Sequence, residues 1–134
     1  MVDQKIVMRQ LDRLGANSSF WGKAELAELP KIMIQGEVIE HVRHGYYSGG
    51  FATLVATNHR LLLIDKKMFF LTVEDIRYDM IAEVDYGQQV LAATIHVRSF
   101  SKDLKFQSLD KRSLRNITHF IQHKIMELRG HQTA

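Results

Sequence analysis

The sequence predicts a mainly β fold with helices at both ends (α+β by count of elements): a meander of about seven antiparallel strands, a C-terminal helix and an N-terminal helical extension. Three observations carry this. Short apolar runs between Gly36 and Tyr86 are separated by Ser48-Gly49-Gly50, Asn58-His59 and Lys66-Lys67, which is the spacing of consecutive hairpins. From Val38 onward the apolar residues recur with period two, as on half-buried strands. After Asp110 the period lengthens to that of a helix, with Leu114, Ile117, Ile121, Ile125 and Leu128 on one stripe.

Taken in order, Val2, Ile6, Val7, Leu11 and Leu14 share one helical face, and Gly15 is placed to stop that helix. A second helical run, Lys23 to Leu29, is limited by Pro30, which lacks an amide hydrogen and disfavours helical geometry in the residue before it. Phe20 and Trp21 precede it and read as core packing on this barrel or on a neighbouring subunit rather than as a binding pair. Strands are expected near 38–47, 50–57, 60–66, 69–78, 83–87, 90–98 and 103–107. In the sixth, Leu91, Ala93, Ile95 and Val97 face inward while Ala92, Thr94, His96 and Arg98 face outward. Asp110 caps the last helix, Gly130 ends it, and Arg112, Arg115, His119 and His123 fall opposite its apolar stripe.

Composition bounds the function. With 134 residues, 46% hydrophobic, 25% charged and a single Pro, the chain has the make-up of one folded domain. It has no Cys, which excludes disulfides, thiolate metal sites and thiol nucleophiles. No apolar run approaches the ~20 residues of a membrane span, and the charged N-terminus lacks the apolar segment of an export signal, so a cytoplasmic protein is expected. The net charge is +3, and residues 101–134 carry seven Lys/Arg against three Asp/Glu, which puts the excess positive charge at the C-terminal end.

Four blocks are more specific. Gly36-Glu37-Val38-Ile39, Gly50-Phe51-Ala52-Thr53-Leu54-Val55, Thr57-Asn58-His59-Arg60-Leu61-Leu62-Leu63-Ile64-Asp65 and Tyr78-Asp79-Met80-Ile81-Ala82-Glu83-Val84 together resemble the bacterial pleckstrin-homology (PH) domain family, YokE-like, over residues 23–129. The resemblance implies a PH-like open barrel capped by the C-terminal helix, with 1–22 as an N-terminal helical extension and 23–134 as the PH-like domain. It also implies a nonenzymatic binding or scaffold module that acts through protein contacts, self-association into a homo-oligomer among them. The alternative is peripheral binding to anionic lipid head groups. Phosphoinositide-binding relatives hold phosphates with basic residues on the first two strands and the loop between them. Here that loop, Tyr46-Tyr47-Ser48-Gly49-Gly50, has no basic residue, which disfavours inositol-phosphate recognition.

Candidate sites are therefore surfaces. Asn58 and Arg60 are expected to anchor the turn after the second strand. Lys66 and Lys67, followed by Met68-Phe69-Phe70, can pair charge with shallow aromatic insertion at a bilayer, and Lys111, Arg112 and Arg115 form a second candidate anionic-surface contact. Nucleic acid is disfavoured, because no aromatics are interleaved with these cations. No metal or cofactor is expected: His119 and His123 have i, i+4 spacing but no third ligand, and His41 and His44 project to opposite strand faces. Glu37, Glu40, Glu74, Asp75, Asp79, Glu83 and Asp85 read as solvated turn and edge carboxylates, with no paired arrangement for hydrolysis.

Overall fold

A computed structural model describes residues 1–16 and 22–133, with side chains through 130. Helix α1 spans Gln4–Arg13, and two short helices follow, α2 (Lys23–Leu26) and α3 (Leu29–Ile32). Seven strands come next: β1 (Ile39–Tyr47), β2 (Gly50–Thr57), β3 (Arg60–Lys66), β4 (Leu71–Arg77), β5 (Ile81–Gln88), β6 (Ala93–Ser99) and β7 (Asp103–Ser108). A 3-10 turn, Tyr78–Met80, joins β4 to β5, and α4 (Lys111–Thr133) ends the described chain. All neighbours are antiparallel, in the order β4-β3-β2-β1-β7-β6-β5, so β4 and β5 are the edges of an open sheet. The expected seven-stranded open barrel with a C-terminal helix is the observed fold.

Two apolar clusters sit on the two faces of β2 and β3. One face presents Ala52, Leu54, Ala56, Leu61 and Leu63 to the barrel interior, where Ile95, Val97, Leu104 and Phe106 meet the α4 stripe Leu114, Ile117, Ile121 and Ile125. The opposite face presents Val55, Leu62 and Ile64, with Ile39 of β1, to Val7 and Leu11 of α1, Leu26 of α2 and Leu29 of α3. Leu61 to Ile64 are each fully buried, which explains why this strand loses alternation. The N-terminal helices therefore pack on their own sheet. Val2 N–H donates to the Pro30 carbonyl (2.9 Å), tying the start of the chain to α3.

Where β1 turns from β2 towards β7 the strands approach closely at Gly45. A Cβ there would lie 2.2 Å from the Gln107 carbonyl oxygen and 2.7 Å from the Phe106 ring. Only glycine fits.

Several expectations are corrected. Ile6 and Leu14 are about 40% exposed, because α1 buries only the narrower face of Val7 and Leu11, together with Val2 ahead of the helix. The helix expected over 23–29 is two helices, with Pro30 in the first turn of the second, where its missing N–H has no intrahelical partner to lose. The strand expected from 90 begins at Ala93: Gln89 N–H donates to the Ala92 carbonyl (2.8 Å), and this tight turn leaves Leu91 exposed and Ala92 buried. Helix α4 passes through Gly130 to Thr133, since a glycine permits a stop without imposing one. Phe20 and Trp21 lie outside the described residues.

The shared cluster makes α1 part of the folding unit. Leu11→Ala removes a fully buried side chain and should cost about 2–5 kcal/mol, read by urea unfolding as a lower midpoint of one cooperative transition. A change below about 0.5 kcal/mol would show that α1 contributes little to the fold.

Candidate functional site

The most densely bonded cluster lies at the β2–β3 turn. Asn58 exchanges two hydrogen bonds with Val38, receiving its N–H on Oδ1 (2.8 Å) and donating its own N–H to its carbonyl (2.9 Å). Arg60 spreads its guanidinium over three segments: Nε and Nη2 donate to Glu37 Oε2 (2.9 Å) and Oε1 (3.0 Å), Nη2 also to the Ile32 carbonyl (2.8 Å), and Nη1 to Asp75 Oδ2 (2.7 Å). Glu37 further accepts from Thr57 Oγ1 (2.6 Å) and Ile34 N–H (3.1 Å). Tyr78 Oη donates to the Thr57 carbonyl (2.7 Å). Glu37 is 3% exposed, which corrects its reading as a solvated turn carboxylate. Burial pushes its carboxyl up, but the hydrogen bonds from Arg60, Thr57 and Ile34, with the Arg60 charge, outweigh that and hold it below the ordinary carboxylate value.

The β3–β4 hairpin is different in kind. Lys66 places its ammonium on the Glu28 carboxylate of the α2–α3 segment; Lys67 pairs with Asp65 (2.6 Å) and donates to the Phe51 carbonyl (2.9 Å). Both lysines are thus engaged within the chain. Beyond them Met68, Phe69 and Phe70 are 89%, 84% and 71% exposed, an apolar tip with nothing packed on it among the described residues. Periodicity marks these residues as a turn and gives no measure of how far they project.

The other cations gather at the start of α4. Asp110 caps the helix, accepting from Ser113 N–H (3.1 Å) and pairing with Arg43 (3.2 Å). Its carboxyl is held low by the Ser113 N–H, against burial, with help from the Ser113 hydroxyl and the Arg43 and Arg112 charges. Lys111 Nζ donates to the Val90 carbonyl (2.6 Å), and Arg115 donates to Gln88 (3.0 Å) and lies over the Tyr86 ring (5.1 Å). Arg112 is exposed. By strand direction this cluster and the β3–β4 tip lie at opposite ends of the sheet, so the five candidate cations form two separate groups.

A groove of about 720 Å³ runs along β1, between the end of α1 and the start of α4. His44 is its most constrained side chain: it exchanges a hydrogen bond with Thr53 (2.8 Å), stacks near Phe51 and lies against Gly22, where a Cβ would sit 2.1 Å from the imidazole. His41 packs on Phe120 of α4. Burial lowers both imidazoles, and the Arg43 charge lowers them further, with Glu40 opposing at His41. His123 pairs with Glu127 one helical turn on (3.3 Å), and the described residues include no group of three or more His, Cys, Asp or Glu placed to hold a metal. No described helix is long and apolar enough to cross a membrane.

Residues 27–123 match the family described as Bacterial PH domain. Among solved structures, the pleckstrin homology domain from Shewanella amazonensis SB2B is similar at 20% identity and TM-score 0.53, over 78% of this chain and 97% of that one. The Vps36 N-terminal PH domain is similar at 13% identity and TM-score 0.55, over 73% and 86%. A DUF1696 family protein with a pleckstrin-homology domain from Shewanella loihica PV-4 is similar at 22% identity and TM-score 0.52, over 74% and 91%. No curated protein matches the sequence.

Arg60→Leu leaves the Glu37 carboxylate buried without its counter-charge and should cost about 3–5 kcal/mol in denaturant unfolding. Arg60→Lys should recover only part, because an ammonium cannot reproduce the two-pronged contact. A cost below about 1 kcal/mol for the Leu variant would remove the ion pair from its structural role.

The pH dependence follows from the directions of the shifts. The folded values of His41 and His44 lie below their unfolded value, so their contribution is full above about pH 6.5 and is lost as pH falls through the folded values. Glu37 adds a second loss below about pH 4.3 by the same sign. In urea titrations across pH, His44→Gln should flatten the first window and leave the second; an unchanged slope in the first would remove His44 from the linkage.

Proposed function

We propose, from the premise that this chain belongs to the bacterial PH domain family, that it is a nonenzymatic binding module whose first protein contact is a second copy of itself. The finer kinship to the YokE-like branch is part of the proposal and is supported by Thr57-Asn58-His59-Arg60-Leu61. In this reading residues 1–22 are the extension, whose Val2, Val7 and Leu11 pack on the outer sheet face, and 23–134 are the PH-like domain. The observation that carries self-association is the apolar β3–β4 tip, Met68, Phe69 and Phe70, continuous with Leu71 at the start of an edge strand.

Three bare apolar side chains at one hairpin are costly in water unless a partner covers them, because each loses about 1.5–3 kcal/mol of available burial. The neighbouring lysines do not mark an anionic target there, since Glu28 and Asp65 already hold them. Among the described residues β4 has no strand on its other side. An unpaired edge favours a like strand, because an antiparallel pair of identical edges satisfies both ladders by one two-fold axis. α4 packs against the other edge strand, β5, as well as against β6 and the 3-10 turn.

Sedimentation equilibrium over a wide concentration range should show wild-type chain associating. Phe69→Ser with Phe70→Ser should weaken that association by about tenfold or more while leaving thermal unfolding of the monomer intact. A wild type that stays monomeric at every accessible concentration would end this reading.

A further inference from the structure

We propose that the flank of β1 turned towards β7 is a docking site for an extended peptide segment of a second protein, which adds as a short strand beside Val42 and His44 and brings an acidic side chain to Arg43. The site is independent of the self-association reading and shares no residue with it.

β1 carries an incomplete ladder. β2 pairs with it along its whole length, from Ile39↔Thr57 to Tyr47↔Gly50, whereas β7 meets it at Tyr46↔Gln107 alone. A central strand is thereby left single on one side over most of its length. Backbone alternation identifies the groups that face that side. Ser48 and Gly49 both have positive φ (53° and 81°), as in the two-residue turn closed by a hydrogen-bonded pair, here Tyr47 and Gly50. Counting back by twos, Gly45, Arg43 and His41 direct their N–H and C=O to β2, and Tyr46, His44 and Val42 direct theirs away from it. Tyr46 is the residue that meets Gln107, and the His44 carbonyl accepts from Ser108 Oγ (3.4 Å), both as this alternation requires. The His44 N–H and both main-chain groups of Val42 come next, and among the described residues no strand pairs with them on that side.

Room and chemistry are present at the same place. The groove of about 720 Å³ follows this stretch, lined by residues 14–16 on one side and 108–110 on the other. Val42 belongs to the outer apolar cluster, and Arg43, its neighbour on the opposite pleat, reaches Asp110. A strand added here sends alternate side chains to an apolar wall and to Arg43. Arg43 pairs with Asp110 through Nη1, but its Nε is buried and meets no hydrogen-bond partner among the described residues. A buried donor on a cation is costly to leave so, and a carboxylate satisfies it best.

The occupant is chosen by this complementarity. A phosphate or a lipid head group would serve Arg43 and leave the strand flank idle. An extended polypeptide serves both, because it alone offers donors and acceptors in alternation at the strand spacing. Sheet curvature accounts for the divergence of β1 from β7. It does not account for main-chain groups left unpaired beside a groove.

Hydrogen exchange of the full chain, read by NMR, tests the flank before any peptide is added. The amides of Val42 and His44 should exchange about tenfold or more faster than those of Arg43 and Gly45. Slow exchange at both would mean that the chain itself already pairs with this flank, and would overturn the proposal. Phage-displayed random heptapeptides are then selected on the chain carrying Phe69→Ser with Phe70→Ser, which keeps the apolar hairpin tip out of the selection. Expected are peptides that alternate apolar and acidic residues and slow exchange at Val42 and His44 by about tenfold or more. Methylation of alternate backbone nitrogens in these peptides should abolish binding in one phase and spare it in the other. Arg43→Gln should weaken binding about tenfold, with the fold retained by circular dichroism. The proposal is overturned by a selection that enriches nothing, by peptides that protect β4 amides instead, by binding that methylation leaves intact in both phases, or by wild-type binding in the Arg43→Gln chain.

Discussion

The interaction on which the rest depends is the contact between Arg60 and Glu37. A carboxylate with no side-chain exposure is tolerable only because every part of it is used: a two-pronged guanidinium, a threonine hydroxyl and a backbone N–H. The same guanidinium reaches the Ile32 carbonyl at the end of α3 and Asp75 on β4. One side chain thus joins the N-terminal helices, the β2–β3 turn and the edge strand. The arrangement stands where the two apolar clusters meet, since Tyr78 of the barrel interior donates to the Thr57 carbonyl while Ile39 of the outer cluster follows Glu37 in the chain. Net stabilisation from such a pair is small, but its geometry fixes which segments adjoin.

That constraint explains which parts could be read in advance. Thr57-Asn58-His59-Arg60 is a turn in part by local chemistry, because the Thr57 hydroxyl accepts from the His59 and Arg60 N–H groups, whereas the Asn58 side chain reaches Val38, twenty residues earlier. The partner of Arg60 is not local: Glu37 lies in the loop before β1, and nothing in its neighbourhood distinguishes it from the solvated carboxylates along the same strands. The loss of alternation at Leu61 to Ile64 announces a strand covered on both faces. It leaves open what covers the second face, and an amphipathic α1 fits its own sheet or a neighbour's equally well until Val7 and Leu11 are placed against Leu62 and Ile64. Periodicity also overruns its element at Leu91, where alternation continues in phase through a turn closed by Gln89 and Ala92.

The candidate surfaces were visible as residue types and invisible as states. Lys66 and Lys67 look as available as Arg112 and Arg115 in a linear chain. Their difference lies in Glu28, thirty-eight residues before Lys66, and in the way the hairpin folds Lys67 back over Phe51. Aromatic residues after a basic pair suggest a bilayer, yet once the lysines are satisfied the aromatic tip becomes a hydrophobic surface without charge selection. At the α4 end the order is reversed: Lys111 and Arg115 are held by the Val90 carbonyl and by Gln88 and Tyr86 rather than by carboxylates, and Val90 and Leu91 beside them were expected to be strand.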